Sequence, residues 1–464
     1  MSFFNSLENH GQKTALITDT GVEIAYQKLL EEADRIAGFI GKRSLVFCVC
    51  SNNLESVAGY LGFLRARIVP VLINPDVDRE LYSELEHTYQ PSFVWAPKQF
   101  SEKECVYSYG AYELTKTGYQ KEHDLYPELA LLLTTSGSTG SPKLVRQSYK
   151  NIESNTYSII EYLHITREDR AITTLPMSYT YGLSILHTHL AAGATVILTD
   201  ASLMSKSFWT LLKEQKVTTF GGVPYTYEML KKLRFARMDL PSLSYVTQAG
   251  GKLSKELSLE FAMVCKEKGI KLIIMYGQSE ATARMSYLPW EYAISKAGSM
   301  GIAIPYGKFR LIDETENTIT APHIIGELVY EGANVTLGYA DAVEDLAKGD
   351  ERYGVLLTGD MAEMDEDGFF YIVGRKKRFL KIYGNRVNLD EVEGLLKSKG
   401  YDCAVGGADD HMKIFVTDET KCEEVRHFVS EKTGLNPAAF SSAYIPAIPR
   451  NEAGKVLYTH LEEV

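Results

Sequence analysis

The chain has 464 residues, 45% hydrophobic and 23% charged, enough for one large domain, a smaller one and a core needing neither disulfide nor structural metal. A formal net charge of -11 excludes a broad phosphate-tracking surface, and with it a general nucleic-acid partner, but not a local basic site for a phosphorylated ligand. Residues 1–12 are polar and no apolar run approaches the roughly 20 residues of a membrane helix, which predicts a cytoplasmic protein without a membrane span.

In chain order, Tyr26, Leu29, Leu30, Ala33, Ile36, Ala37 and Ile40 recur at helical spacing. The apolar run ending at Cys50 reads as a buried strand. The spacing then predicts helix over 54–65, strand over 68–72, helix over 80–87 and strand over 93–96. After residue 170 the alternation resumes: strands at 171–175, 195–198, 217–220, 245–248 and 272–275, with helices at 183–192, 205–215, 225–233 and 255–268. Such alternation implies mostly parallel sheet covered by helices on both faces. From about Gly298 to Val373 short strands broken by Gly, Asp and Asn predict an antiparallel β subdomain, with a hairpin at Asp365-Glu366-Asp367-Gly368. A basic run at 374–378 marks a boundary, and a compact α+β segment follows. The expected fold is therefore α/β: a large N-terminal domain, residues 1–376, of parallel α/β sheets plus a β subdomain, and a small mobile C-terminal domain, residues 377–464.

The six cysteines, Cys48, Cys50, Cys105, Cys265, Cys403 and Cys422, form no CxxC pair and no metal-ligand spacing, so they read as free thiols. The densest chemical signal is the apolar run Leu131-Leu132-Leu133 leading into Thr134-Thr135-Ser136-Gly137-Ser138-Thr139-Gly140-Ser141-Pro142-Lys143. Small residues let backbone N–H groups approach phosphate oxygens, hydroxyls add donors, and Lys143 supplies charge. The spacing is not that of a Walker loop, which closes on Gly-Lys-Ser/Thr.

At this loop the sequence resembles the AMP-forming adenylating superfamily: acyl- and aryl-CoA synthetases, peptide-synthetase adenylation domains and luciferase-like enzymes. Further motifs follow in the family's order. Tyr276-Gly277-Gln278-Ser279-Glu280 is similar to its Tyr-Gly-x-Thr/Ser-Glu motif, which implies nucleotide contacts from Tyr276 to Ser279 and Mg²⁺ held by Glu280. Gly250-Gly251 resembles the loop that holds adenine and walls the acyl pocket. Thr358-Gly359-Asp360 resembles the motif whose aspartate takes the ribose diol, a pairing that suits a carboxylate. The run from Gly374 resembles the hinge, with Arg375 on the nucleotide, Lys377 at the pivot and Gly384 in the loop used in the second half-reaction. Ile448-Pro449-Arg450-Asn451-Glu452-Ala453-Gly454-Lys455 is similar to the family's ending, which makes Lys455 the lysine that bridges acyl carboxylate and α-phosphate. The stretch 326–339 matches a part of the family that is structural.

The resemblance implies ATP and Mg²⁺ as cofactors, a small carboxylic acid as substrate, and catalysis by Lys455, Lys143 and Glu280. The nucleotide would be held by Thr135, Ser136, Gly137, Ser138, Thr139 and Gly140 together with the motifs above. Tyr179, Tyr181, Val223, Tyr225, Gln248 and Ala249 are candidates for the substrate pocket. Tyr179 stands where acyl-CoA synthetases often carry His, and no aspartate lies between Leu175 and Leu186 to pair a substrate ammonium. The expected product after acyl-AMP is a thioester, on CoA or on the phosphopantetheine of an acyl carrier protein. Lys413, Lys421 and Arg426 are the basic residues open to CoA phosphates. Amino-acid adenylation and a degenerate nucleotide-binding protein remain the alternatives. His187 and His189, two apart on a helix, read as packing or surface residues.

Overall fold

The computed structural model describes residues 3–100, 104–119, 122–134, 143–383, 385–450 and 456–461. The described residues divide into two compact units: those among 3–134, 143–308 and 330–356 form the first, and those among 309–329 and 357–461 the second.

The first unit holds two large sheets. In the nine-stranded sheet the order is Ile302–Ala303, Ser286–Leu288, Lys271–Tyr276, Tyr245–Gln248, Thr219–Gly222, Arg170–Ile172, Thr195–Ile197, Thr14–Ile17 and Glu23–Ala25. Its interior pairs are parallel and its edge strands antiparallel. The eight-stranded sheet runs Gly338–Ala340, Leu144–Ser148, Leu129–Thr134, Val69–Ile73, Leu45–Val49, Phe93–Pro97, Tyr112–Lys116 and Glu104–Tyr109. Antiparallel edges are what periodicity reads poorly, because a short edge strand lacks the buried run of a central one.

An apolar core joins the sheets. Leu16 and Val196 from one, Val46, Cys48, Leu72 and Leu131 from the other, meet helices Tyr26–Gly38, Leu54–Arg65 and Thr180–Ala191. Helix Tyr26–Gly38 buries the stripe the sequence announces: Tyr26, Leu29, Leu30, Ala33, Ile36 and Ala37. Helix Leu54–Arg65 starts at Asn53, whose side chain accepts from the Ser56 N–H at 2.9 Å, a cap worth about 1 kcal/mol. Thr180–Ala191 is buried on every face from Thr180 to Leu190, so its polar residues must find partners inside.

Its two histidines do so, both within the core. Tyr60 Oη lies 2.6 Å from His187 Nε2. His189 donates Nδ1–H to the Ile185 carbonyl at 2.8 Å and faces Tyr245. Burial holds the His187 imidazole down at about 3 and, as the first cause, His189 at about 4.

In the second unit a five-stranded sheet has the order Thr318–Ile319, Lys308–Ile312, Gly326–Glu331, Val355–Met364 and Phe370–Arg375. The expected hairpin joins its last two strands, which are antiparallel. Asp365 fastens that turn by accepting from the Phe369 N–H at 2.9 Å. Further along, strands Cys403–Ala408, His411–Val416 and Phe440–Tyr444 carry helices Leu389–Ser398 and Cys422–Thr433 over a core of Leu396, Val405, Ile414, Val425 and Phe440. Among the described residues no helix is long and apolar enough to cross a membrane.

The histidines set an acid limit on stability. His187 has a folded pKa below its unfolded value of about 6.5, so the unfolded chain binds the extra proton and stability falls as pH drops below that value. Between pH 7 and pH 5 this one site should cost about 2 kcal/mol. Denaturant melts across that range should show the loss, and His187→Gln, still able to pair with Tyr60, should remove about half of the histidine contribution, His189 supplying the rest. An unchanged slope would mean that the imidazole is not excluded from protonation.

Candidate functional site

In the nine-stranded sheet the parallel strands Thr219–Gly222, Tyr245–Gln248 and Lys271–Tyr276 end side by side, with Gly222 opposite Gln248 and Gln248 opposite Ile274. Their carboxyl ends open into Val223, Ala249-Gly250-Gly251 and Gly277-Gln278, the edge at which open α/β sheets bind ligands.

The glycine loop is held from below. Gln248, fully buried, donates from Nε2 to the carbonyls of Ala249 and Gly251 at 3.2 and 2.9 Å. Above it Tyr179 and Val223 close in: a Cβ at Gly250 would lie 2.6 Å from Tyr179 Oη and 3.0 Å from Val223 Cγ1. Tyr179 begins the buried helix and its ring stands 6.4 Å from that of Tyr181, edge to face. Tyr181 Oη lies 2.7 Å from Thr247 Oγ1. Burial pushes both phenols up to about 12, so they are neutral hydrogen-bonding groups. The structure thus brings Tyr179, Tyr181, Val223 and Ala249 together. Gln248 serves as the buckle of the loop, and Tyr225 is 59% exposed on helix Pro224–Lys232.

After Tyr276 the chain leaves the sheet and returns at once. Met285 N–H bonds to the Tyr276 carbonyl at 2.9 Å. Thr282 and Ala283 have φ of 51° and 89°, a strained conformation for side-chain-bearing residues. A Cβ at 277 would sit 1.7 Å from the Ala283 carbonyl oxygen, so only glycine fits there. Ser279 and Glu280 occupy the short helical turn Ser279–Ala281, and Gln278 Nε2 reaches Tyr276 Oη at 3.3 Å.

Glu280 is placed by Tyr339, which the sequence reading treated as structural. Tyr339 Oη donates to Glu280 Oε1 at 2.6 Å. The same ring lies under Lys143 Nζ at 3.9 Å and beside the Arg352 guanidinium at 4.7 Å. Arg352 also donates to the Glu280 carbonyl at 3.1 Å. Burial first, then the Glu280 carboxylate, pushes the Tyr339 phenol up to about 12, so it remains a donor. Tyr339 pairs with Val145 across the antiparallel edge, which brings Lys143 Nζ within 3.8 Å of Asp341. Fully buried Arg146 secures that edge through the Tyr339 carbonyl at 2.9 Å and an ion pair with Glu351. The signal for Tyr339 and Arg352 is a long-range strand pairing that no local pattern carries.

In the second unit Asp360, almost wholly buried, faces Arg375 across the last strand pair, with Arg375 Nε 3.0 Å from Asp360 Oδ1. Thr358 Oγ1 accepts from the Asp360 N–H at 3.1 Å and donates to the Leu328 carbonyl at 2.8 Å. The basic run is split in function. Lys376 pairs with Glu327 of the five-stranded sheet at 2.6 Å. Arg378 is anchored by Asp390 and Glu393 at 2.8 and 2.7 Å, with the Tyr458 ring at 3.7 Å. Lys377 lies exposed between them. Lys421 and Arg426 each pair with an acid one turn away, Glu424 and Glu423. Thr135, Ser136, Gly137, Ser138, Thr139, Gly140, Gly384 and Lys455 lie outside the described residues.

These features meet a known family. Residues 3–340 match the family described as AMP-binding enzyme. The 2-succinylbenzoate–CoA ligase of Bacillus cereus (strain AH820) is 27% identical over 441 residues, 90% of this chain and 88% of that protein. Its counterpart in Bacillus mycoides (strain KBAB4) is 29% identical over 360 residues, 74% of this chain and 72% of that one. Among solved structures, O-succinylbenzoate coenzyme A synthetase from Bacillus subtilis in complex with AMP gives a TM-score of 0.82 at 21% identity, covering 100% of this chain and 98% of that one. ATP-bound MatB from Rhodopseudomonas palustris gives 0.80 at 20% identity, covering 100% and 99%. The chain belongs to the AMP-binding enzyme family, the adenylate-forming superfamily to which the motifs pointed.

The Tyr339–Glu280 bond is testable alone. Tyr339→Phe keeps the ring under Lys143 and removes the donor, and should raise the Mg²⁺ needed for half-maximal pyrophosphate release about tenfold, the loss of one charge-assisted hydrogen bond. An unmoved Mg²⁺ titration would show that the phenol does not position the carboxylate.

Proposed function

We propose that this chain is an acid–thiol ligase that works in two half-reactions. In the first it uses ATP to activate a carboxylic acid as its acyl-adenylate and releases pyrophosphate. The observation that carries this reading is the convergence, at one sheet edge, of a Gly-Gly loop walled by tyrosines with the Tyr276–Glu280 turn. One feature suits a flat nucleotide and an acyl chain, and the other presents a hard oxygen ligand beside a lysine.

Attack of a carboxylate on the α-phosphate brings two anions together, so the site must supply positive charge where negative charge builds. Lys143 and Lys455 supply it, and Glu280 would hold Mg²⁺, which would screen the phosphates and needs only one carboxylate among its ligands. Tyr339 keeps one Glu280 oxygen engaged and leaves the other for the ion. Thr135 to Gly140 cradle the phosphates with backbone donors, Tyr276 to Ser279 and Gly250-Gly251 hold the adenosine, and Asp360 with Arg375 takes the ribose. Tyr179, Tyr181, Val223 and Ala249 enclose the acid.

In the second half-reaction a thiol attacks the mixed anhydride and displaces AMP. Residues 1–376 form the adenylating domain and 377–464 the mobile one, with Lys377 as pivot and Gly384 in the loop that follows. The anchoring of Lys376 on Glu327 and of Arg378 on Asp390 and Glu393 supports a pivot between them. The acceptor is CoA: the curated relatives are CoA ligases. The free thiols and the lack of a membrane-crossing helix among the described residues fit a cytoplasmic enzyme.

Protein, ATP and Mg²⁺ with a panel of fatty, aryl, hydroxy and amino acids should give hydroxamate after trapping with hydroxylamine, matched by pyrophosphate. Loss of activity for every acid, with ATP binding intact, would sink the reading. Lys455→Ala should lower acyl-adenylate formation at least about 100-fold; near-normal pyrophosphate exchange would remove that lysine from the mechanism. Lys377→Pro should slow thioester formation more than adenylation, and an equal loss in both would count against a pivot. A carrier protein replacing CoA as the better acceptor would correct the choice of thiol.

A further inference from the structure

Two cations share one aromatic ring beside Glu280. Lys143 Nζ lies 3.9 Å from the centre of the Tyr339 ring, and the Arg352 guanidinium lies 4.7 Å from it. Lys143, Glu280, Tyr339 and Arg352 are each partly exposed, so none of the four is sealed in the core. Lys143 has the Asp341 carboxylate at 3.8 Å. Among the described residues no carboxylate pairs with the Arg352 side chain, which bonds instead to a carbonyl and a hydroxyl. Asp350, two residues before it, spends one oxygen on backbone, accepting from the Arg352 and Tyr353 N–H groups at 2.9 and 3.0 Å. The nearby buried arginine, Arg146, is neutralised by Glu351. Arg352 therefore brings a charge to this site that its own surroundings leave unbalanced.

The side chain is also held in place. Its Nη1 donates to the Glu280 carbonyl at 3.1 Å and to Thr336 Oγ1 at 2.8 Å. Both bonds leave from one nitrogen, so further N–H groups of the five-donor fork remain for a ligand. A fixed, partly exposed and unpaired guanidinium is suited to an anion. Its neighbour Glu280 suits a hard cation, so the anion that fits here is one that travels with such an ion.

The activation step produces that anion. An oxygen of the acid bonds to the α-phosphorus of ATP, the bond from that phosphorus to the bridging oxygen breaks, and pyrophosphate departs with the electron pair. Negative charge builds on the leaving group as it goes, and a preorganised cation there lowers the barrier. The planar, permanently charged fork of an arginine matches phosphate oxygens in bidentate geometry.

We propose that Arg352 binds the terminal phosphates of ATP and stabilises the departing pyrophosphate, as a catalytic residue of the first half-reaction additional to Lys143 and Lys455. This rests on the acid-activating function proposed above.

The test is binding, read by calorimetry with no acid present. ATP, pyrophosphate and AMP are each titrated at fixed Mg²⁺ into the wild-type chain, Arg352→Gln and Arg352→Lys. Arg352→Gln keeps a donor for the Glu280 carbonyl and loses the charge. It should weaken ATP and pyrophosphate about tenfold, the loss of one charge-assisted hydrogen bond, while AMP binds as in the wild type. AMP lacks the two phosphates in question, so its unchanged affinity also shows that the variant is folded. Arg352→Lys should recover part of the loss. Unchanged ATP and pyrophosphate affinities in Arg352→Gln would overturn the assignment and leave acid activation standing. Equal weakening of all three ligands would overturn it too, making Arg352 a pin of the Glu280 turn. A wild-type chain that binds no ATP would bring down the adenylating function together with this one.

Discussion

The carbonyl oxygen of Ala283 occupies the space that any side chain at 277 would need. That contact makes the chain turn back on itself directly after strand Lys271–Tyr276, and the rest of the site depends on it. The excursion is only as long as the short helical turn that carries Glu280, and it ends with Arg284 packed on Gly277. One tight return therefore carries both Glu280 and Arg284 within a few residues of one glycine. The left-handed conformations of Thr282 and Ala283 are the local cost of that geometry, offset by buried bonds such as Asn334 Nδ2 to the Ala281 carbonyl at 2.7 Å.

Around this turn the first unit uses neutral phenols to manage charge. Tyr339 touches Lys143, Arg352 and Glu280 at once. Tyr181 faces the buried guanidinium of Arg284. A phenol shifted up by burial cannot ionise near neutral pH, so it accepts a cation on its ring and donates a proton at its rim without adding charge. The same device returns in the second unit, where the Tyr458 ring covers Arg378 and its hydroxyl donates to Glu393 at 3.1 Å. There the result is anchorage, since Arg378 also joins Asp390 and the Val405 carbonyl.

The two histidines of helix Thr180–Ala191 show the limits of a local reading. Their spacing places them on different faces, which holds: His187 meets Tyr60 and His189 meets Tyr245. That the helix lies inside the core shared by two sheets is a consequence of topology, and periodicity describes only one flank of a helix at a time. The same holds for Gln248, whose position at a strand end suggests the pocket while its amide turns back onto the glycine loop.

The sequence by itself determined the alternation of strands and helices, the change to antiparallel strands near residue 298, and the family, because each is written in residues close together. Gly277 and Gly250 are legible as motif glycines, and the backbone they admit explains them. Tertiary structure decided what distant residues do for one another. The division into two sheets, the seating of Glu280 by Tyr339, and the isolation of Arg284 arise from pairings across tens to hundreds of residues. An arginine in a sequence is a surface residue by default; only the packing of Tyr162, Ser184, Met275 and Tyr181 around it buries it, with no carboxylate paired to it among the described residues.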